Sequence, residues 1–367
     1  MSSVHHWNKR ILPVVLIAMV ATVGACGSSG STPAASGATG GSKSLALKTA
    51  PNFSTAPPQS LIDQAKQEGS LIWYDSTPAD KAPAVLAAFQ KDYPFVTNVK
   101  HIQLRSGDAE THVLQESAAG ATTADVIFTN ITTIIDGQKR GLIKSEDWQS
   151  YGVPAELTPT NYAVAVTAAV TCLVYNTNLV SAADAPTTWQ DLLKPAFNGG
   201  KIGIWTNPDE LLPLIQSWGE PAANKYYQSL FAQQPKQYAT GSAAVVQAVE
   251  AGEIPIGVST TNVVQPELDK GAPIKMVIAD PVPVDQLFDS VTTKGKDPAV
   301  GALFVSWLTT QDGAAAYAAA NSRTSPFLPN STTDSLFGGK QLVGFVPSEA
   351  QQLVTYEKMF TAELGSK

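Results

Sequence analysis

Leu71-Ile72-Trp73-Tyr74-Asp75-Ser76-Thr77-Pro78 is the stretch from which the fold is read. Four apolar residues in succession read as a short buried strand, the polar residues behind them as a loop, and residues 79–91 as the helix that follows. The unit recurs in residues 99–104 with 109–119, and in Asp125-Val126-Ile127-Phe128 with residues 131–140. It returns in residues 201–205 with 209–217, and in residues 254–258 with 263–270. Strands alternating with helices of this length form a mainly parallel sheet covered on both faces, so the fold class is α/β. Between the two sets runs an almost purely apolar extended segment, residues 162–175, which fits a strand leaving one sheet and entering another. Two α/β lobes joined by extended crossings are expected.

The N-terminus sets the compartment. Lys9-Arg10, an apolar run over residues 11–23, and Val23-Gly24-Ala25-Cys26 stand in that order ahead of Gly27-Ser28-Ser29-Gly30. A basic flank, an apolar segment too short to span a bilayer comfortably and small residues before a cleavage point make residues 1–25 a signal peptide. Cys26 resembles the lipid-carrying cysteine of bacterial lipoproteins, which implies a lipid anchor in the cell membrane; an uncleaved membrane anchor is the competing reading. Either way the body works outside the cytoplasmic membrane. Residues 26–58, rich in Ser, Gly, Ala, Thr and Pro, bury too little surface to offset the entropy of ordering and are expected to be a flexible tether.

Signal removal takes Lys9 and Arg10 and no acid from a chain of net charge −7, leaving −9. Nucleic acid is excluded as a partner because a polyanion requires a basic stripe that is absent here. With Cys26 lipidated, Cys172 has no partner for an intramolecular disulfide, and in its apolar run it reads as a small buried hydrophobe. The roughly 310 residues that remain after the tether are long for one core, in keeping with two lobes.

Ligands of open α/β sheets bind beyond the carboxyl ends of the strands, where helix N-termini present unpaired N–H groups. The loops at those positions read Asp75-Ser76-Thr77-Pro78, Thr129-Asn130, Thr206-Asn207-Pro208 and Ser259-Thr260-Thr261-Asn262, with a further helix opening at Gly241-Ser242. Ser, Thr and Asn are also the favoured helix N-caps, so capping alone explains any single cluster. Their recurrence in both lobes points to a cleft that holds a small solute by hydrogen bonds. Candidate ligand contacts are therefore Asp75, Ser76, Thr77, Thr129, Asn130, Thr206, Asn207, Ser242, Ser259, Thr260 and Thr261.

Leu71-Ile72-Trp73-Tyr74-Asp75-Ser76, Ala124-Asp125-Val126-Ile127, Val174-Tyr175-Asn176-Thr177, Pro186-Thr187-Thr188-Trp189-Gln190-Asp191-Leu192 and Gly241-Ser242-Ala243-Ala244-Val245-Val246-Gln247-Ala248-Val249 resemble, in order and spacing, the family 1 extracellular solute-binding proteins of ABC importers. The ferric-iron-binding-like branch is the most similar. The resemblance runs from about residue 71 to about residue 320 and implies a two-lobed periplasmic-binding-protein type II fold with a ligand cleft between the lobes, closing on a solute and presenting it to a membrane permease. It also implies that residues 298–309 and 311–320 are the return into the first lobe. Lobe 1 then comprises residues 59–165 and 286–340, lobe 2 residues 166–285, and residues 341–367 a C-terminal helical segment. A monomer is expected.

Ferric-iron members supply adjacent tyrosines where this chain has Ser259-Thr260-Thr261-Asn262. Neutral hydroxyls and an amide are poor substitutes for phenolates, the hard donors suited to a trivalent metal. Tyr226-Tyr227 is an adjacent pair, but it lies in a helical pattern with Leu230 and Phe231 and reads as packing. A small polar or anionic organic solute is thus expected, with a ferric-iron cargo and a non-transport sensor or scaffold as alternatives, and no resident metal or cofactor. Arg105, one of three arginines in the mature chain, can fork onto an acid group, and Asp75 can pair with an amine; a surface ion pair is the competing role of each. Trp205 and Tyr74, ahead of polar loops, are candidate walls or core residues. An enzyme has little support: only His101 and His112 survive signal removal, neither at metal-ligand spacing, and no nucleophile–base motif is present.

Overall fold

A computed structural model of the chain describes residues 47, 49–323, 325–329 and 336–365; the signal segment, Cys26 and most of the expected tether lie outside these. The chain enters through α1 (Gln59–Glu68), β1 (Ser70–Asp75), α2 (Ala82–Asp92), β2 (Asn98–Gln103), α3 (Ser106–Ala118), β3 (Val126–Thr129) and α4 (Ile131–Lys139). Local chemistry sets these boundaries. Gly69 in the left-handed region ends α1, a proline opens α2, and Asn130 with Thr133 forms a reciprocal capping box at α4.

Then come β4 (Val164–Asn176), β5 (Ile202–Trp205), α5 (Ile215–Trp218), α6 (Glu220–Ala232), β6 (Lys236–Tyr238), α7 (Ser242–Glu250), β7 (Ile256–Thr260), α8 (Thr261–Asp269), β8 (Ile274–Val277) and β9 (Val282–Val291). The last elements are α9 (Pro298–Trp307), α10 (Gln311–Asn321), β10 (Leu342–Val343) and α11 (Ala350–Gly365). The helix expected over 209–217 is instead two 3-10 turns, Pro208–Glu210 and Leu212–Leu214, before the four-residue α5. Pro208 and Pro213 remove two backbone donors within six residues, which prevents a continuous helix.

The strands form one hydrogen-bonded path, β2-β1-β3-β9-β4-β7-β5-β6, with β10 beside β9 and β8 beside β4. Each end is parallel, as the alternating pattern predicts: β1 with β2 and β3, and β5 with β6 and β7. The centre is antiparallel. The first part of β4, Val164 to Val170, pairs with β9, and its second part pairs with β7 and β8. β4 is the apolar crossing foreseen over 162–175, and β9 is the second crossing, running back beside it.

The core divides accordingly. Trp73, Phe89, Phe304 and Trp307 pack around β1, α2 and α9 with ring centroids 5.0–6.0 Å apart. Cys172, Val174, Val246, Val249 and Val264 pack where α7 and α8 cover β4. Burial raises the Cys172 thiol well above its ordinary value, which leaves it an inert hydrophobe. Phe360 of α11 meets Tyr227 and Phe231 of α6, each at 5.1 Å, and holds the C-terminal helix down. In the C-terminal segment, β10 and a 3-10 turn, Pro347–Glu349, precede α11.

The end of the expected tether is also packed. Ala50 donates to the Phe327 carbonyl at 2.7 Å, Ser54 to that of Thr309 at 3.0 Å, and Thr55 to that of Gly152 at 3.1 Å. Backbone bonds, together with burial of Ala50 and Ser54, fix a segment that has little large apolar surface. No helix among the described residues is long and apolar enough to cross a membrane.

Gly203 and Gly257 are register partners on β5 and β7. A Cβ on Gly257 would stand 2.4 Å from Val245 of α7, and one on Gly203 would stand 3.1 Å from the same side chain. These glycines let α7 lie close on the sheet, which fixes where its N-terminus emerges. G257V is expected to lower stability by about 1–3 kcal/mol through overpacking. G107A, whose Cβ meets nothing within 4 Å, should fall within about 0.5 kcal/mol of the parent. Urea unfolding of both variants measures this, and an unshifted midpoint for G257V would refute the close-packing role.

Candidate functional site

Residues just beyond the carboxyl ends of β1, β2, β3, β5 and β7 line one cleft of about 640 Å³. One wall carries Ser76, Gln103, Leu104, Arg105, Asp108, Phe128 and Asn130. The other carries Trp205, Asn207, Asp209 and Glu210, then Thr240 to Ala243 at the start of α7, and Thr260, Asn262 and Val263 at the start of α8. The floor comes from the crossings: Ala169 and Thr171 on β4, Asp285 and Leu287 on β9.

Arg323 reaches this cleft from beyond α10. Its Nη1 donates to the Ser76 hydroxyl at 2.9 Å, and its guanidinium lies 5.7 Å from the centre of the Phe128 ring. Its backbone N–H donates to Asn321 Oδ1 at 2.8 Å, just after Ser322 turns the chain in the left-handed region at φ 55°. Nε of Arg323 is buried without a partner. A planar cation fixed by a hydroxyl and an aromatic face, with donor capacity unspent, is suited to an acid group.

The opposite wall is polar and acidic. Gly241 opens α7 at φ 122°, a conformation that favours glycine, and Ser242 then donates its hydroxyl to Glu210. Burial pushes the Glu210 carboxyl from 4.5 up to about 8; the Ser242 bond opposes this rise and Asp209 adds to it. Asp285 is raised well above its usual range, first by burial and then by Asp209, with Arg323 acting in the other direction. Asp209 is also raised by burial, against a bond from Asn207. Both are partly open to the cleft, with protein around the rest of each carboxyl. Glu357 of α11 completes the acidic group, pushed up to about 7 by burial and then by Asp209.

Seven of the residues singled out in the sequence line the cleft: Ser76, Arg105, Asn130, Trp205, Asn207, Ser242 and Thr260. Two of these also cap: Asn130 Oδ1 accepts from Thr133 N–H at 3.0 Å, and Asn207 Oδ1 from Asp209 N–H at 2.9 Å. The other six are not among the lining residues. Asp75 is fully buried and accepts from Tyr317 Oη at 2.7 Å and from the Thr77 N–H. Thr77 and Ser259 are fully buried, and Thr261 nearly so. Thr129 donates to the Phe288 carbonyl at 3.3 Å, and Thr206 N–H donates to that of Tyr238 at 3.2 Å. Tyr74, the other aromatic considered, is core: its hydroxyl donates to Glu116 at 2.9 Å.

His101 and His112 take structural places. The His101 ring lies 4.9 Å from Trp73, with Nε2 3.9 Å from Asp75, and burial lowers its pKa. His112 meets the Tyr74 ring edge-on at 6.2 Å. Sequence reasoning missed Arg323, Phe128, Asp209 and Asp285 as a group. Arg323 alone carried a signal, being one of three arginines beyond the signal peptide and standing directly after a returning helix.

Residues 84–337 match the family model of the bacterial extracellular solute-binding proteins. The chain belongs to this family. Solved structures agree with the solute-binding fold. Iron-bound HitA from Pseudomonas aeruginosa superposes with a TM-score of 0.65 at 20% identity, over 79% of this chain and 99% of that one. The substrate binding protein of the ABC transporter from Agrobacterium tumefaciens gives 0.64 at 17%, over 81% and 96%. AfuA from Actinobacillus pleuropneumoniae, with exogenous fructose-6-phosphate bound, gives 0.62 at 18%, over 81% and 99%. No curated protein sequence matches the chain. These likenesses establish the two-lobed periplasmic-binding-protein type II fold of this solute-binding protein and leave its solute to the chemistry of the cleft.

Glu210 supplies a test of the electrostatics. The folded protein holds this proton up to about pH 8, whereas the unfolded chain releases it near 4.5, so its burial makes stability fall as pH rises between those values. E210Q, which keeps the neutral form, is expected to lose less stability than the parent over that interval. Urea unfolding at three pH values compares the slopes; equal slopes would mean that Glu210 is ionised in the fold.

Proposed function

We propose that this solute-binding protein serves an ABC importer, capturing a small polar or anionic organic solute between lobe 1 (residues 59–165 and 286–340) and lobe 2 (residues 166–285) and delivering it to a membrane permease. The observation that carries this reading is Arg323, a cation held by Ser76 and Phe128 in a cleft whose other wall offers hydroxyls, an amide and two helix N-termini. Thr260 precedes α8 without capping it by its side chain, so the first N–H groups of α8 remain for a ligand oxygen. The β4 and β9 crossings connect the lobes, so a solute that touches both walls favours a closed arrangement over an open one. The protein works as a monomer, without catalysis, held at the outer face of the cell membrane by a lipid on Cys26.

Iron is the less fitting cargo. No tyrosine is among the described residues that line the cleft. Tyr226 and Tyr227 are buried in α6, where their hydroxyls donate to the carbonyls of Trp189 at 2.9 Å and of Leu211 at 3.1 Å. Burial raises both phenols, which opposes the phenolate that a trivalent metal requires. HitA is iron-bound and AfuA carries a sugar phosphate, and the donors in this cleft suit an oxyanion of the latter kind better.

A thermal-shift screen of the mature protein against phosphonates, sugar phosphates, polyamines, thiamine, amino acids and ferric citrate tests the reading. An acid-bearing organic solute is expected to stabilise the fold by about 2.7 kcal/mol at one hundred times its Kd. R323Q should weaken that solute by about tenfold or more, the loss of a charged hydrogen bond. A response to ferric citrate alone would overturn the choice of cargo. The anchor is tested separately: C26A is expected to move the protein from the membrane fraction to the soluble fraction, and its retention in the membrane would favour an uncleaved anchor.

A further inference from the structure

The cleft carries two kinds of charge, and a purely anionic solute answers only one of them. Ser76, Arg323, Asp285, Asp209 and Glu210 line the same cleft, and Arg323 lowers the Asp285 carboxyl that burial, Asp209 and Glu357 raise. Asp285 has no hydrogen-bond partner among the described residues, and the partner of the Asp209 carboxyl is Asn207. Glu210 is engaged by Ser242, and Asp108 stands exposed in the first turn of α3. An acid group that occupied Arg323 would draw its charge away from Asp285 and force the buried acids of the cleft to take up protons in order to avoid facing one another as desolvated carboxylates, which costs affinity wherever they are ionised. A purely cationic solute would leave the unspent donors of Arg323 without an acceptor. A metal ion does not fit the acidic side, because no group of three His, Cys, Asp or Glu side chains among the described residues is placed to hold one.

We infer that the solute is a zwitterion, its acid group on Arg323 and Ser76 and its ammonium or guanidinium group on Asp285 and Asp209. This inference rests on the solute-capture reading and narrows it. It also fixes the sign of a pH effect. Asp285 on β9 faces Asp209 from the turn after β5, Arg323 from beyond α10 and Glu357 from α11. Asp209 faces Asn207 and Glu210 in its own turn, Asp285 and Glu357. A ligand ammonium lowers the raised pKa of this pair, so binding expels protons and strengthens as pH rises. An acid without the amine acts in reverse, raising that pKa, taking up protons and binding better at lower pH.

Isothermal titration of the mature protein with 3-aminopropylphosphonate, propylphosphonate and propylamine, and with 5-aminopentanoate, pentanoate and pentylamine, provides the test. In at least one set the zwitterion is expected to bind about tenfold or more tighter than either half, with an affinity that increases with pH. D285N should bring the ratio of zwitterion to amine-free acid down to about one. D209N should do the same, and it keeps the test open if D285N fails to fold. An amine-free acid that binds as tightly as its zwitterion, or a ratio that survives both substitutions, overturns the inference. A solute that lacks either charge, found in the wider screen while neither set binds, overturns it too and leaves solute capture standing, whereas an amino acid found there supports it. A protein that binds nothing in either experiment removes both readings.

Discussion

The antiparallel pairing of β4 with β9 is the constraint on which the rest of the molecule depends. Both strands are longer than the others in the sheet, and both leave one parallel half for the other in opposite directions. Once Val164 to Val170 are registered against Val284 to Asp289, β3 follows by pairing with β9, and β7 and β8 by pairing with opposite edges of the second part of β4. The carboxyl ends of the two parallel halves then face a common space. Because side chains alternate along a strand, a one-residue slip would carry Asp285 and Leu287 away from the cleft floor and turn their neighbours into it. A register slip is resisted by burial, since almost every residue of both strands is buried.

That burial also explains the electrostatics. Asp285 and Asp289 stand four residues apart on a largely buried strand, and each has a carboxyl raised first by burial. Asp289 is fully buried, with no close hydrogen bond to either oxygen; burial and then Asp75 raise its carboxyl against a weak opposing influence of the Trp73 indole, so neutrality is the state its surroundings support. Asp285 differs because it opens to the cleft and has Arg323 nearby. Two carboxyls on one strand thus take different roles through surroundings alone: one is sealed in the first parallel half, and the other is placed where charge can be exchanged with a ligand.

The alternation of strands and helices was legible because each unit carries its own periodicity and its own caps. The boundaries of β1, β3 and α4 lie within a residue or two of the apolar runs and the Asn130 cap that announce them. What failed was local reasoning about residues whose partners are distant in sequence. Asp75 sits in a loop motif that suggests a ligand contact, yet Tyr317, 242 residues later, takes its carboxylate. Ser259 and Thr261 carry the same hydroxyl group as Thr260, but of the three only Thr260, the last residue of β7, lines the cleft, because side chains alternate along the strand and Thr261 already belongs to α8. The antiparallel centre was equally hidden, because direction in a sheet is decided by the path of the chain and not by the composition of a strand. The two prolines at Pro208 and Pro213 were a readable warning against the expected helix.

Arg323 shows how a residue in an irregular segment acquires a fixed position. Helix α10 ends at Asn321, whose side chain accepts the Arg323 N–H, and the chain beyond is clamped by the N-terminal strap. There Ala50 donates to Phe327, Thr49 Oγ1 donates to the Pro326 carbonyl at 3.0 Å, and Ser54 pairs with Thr309 through hydroxyls 2.7 Å apart. Small residues of the strap, Ala50 and Ser54, are buried where it bonds to Phe327 beyond α10 and to Thr309 between α9 and α10. Clamping restricts the conformations of the Arg323 backbone before any solute arrives, so less ordering entropy remains to be lost on binding. The segment that precedes α1 is therefore also part of the framework that holds the cation of the cleft.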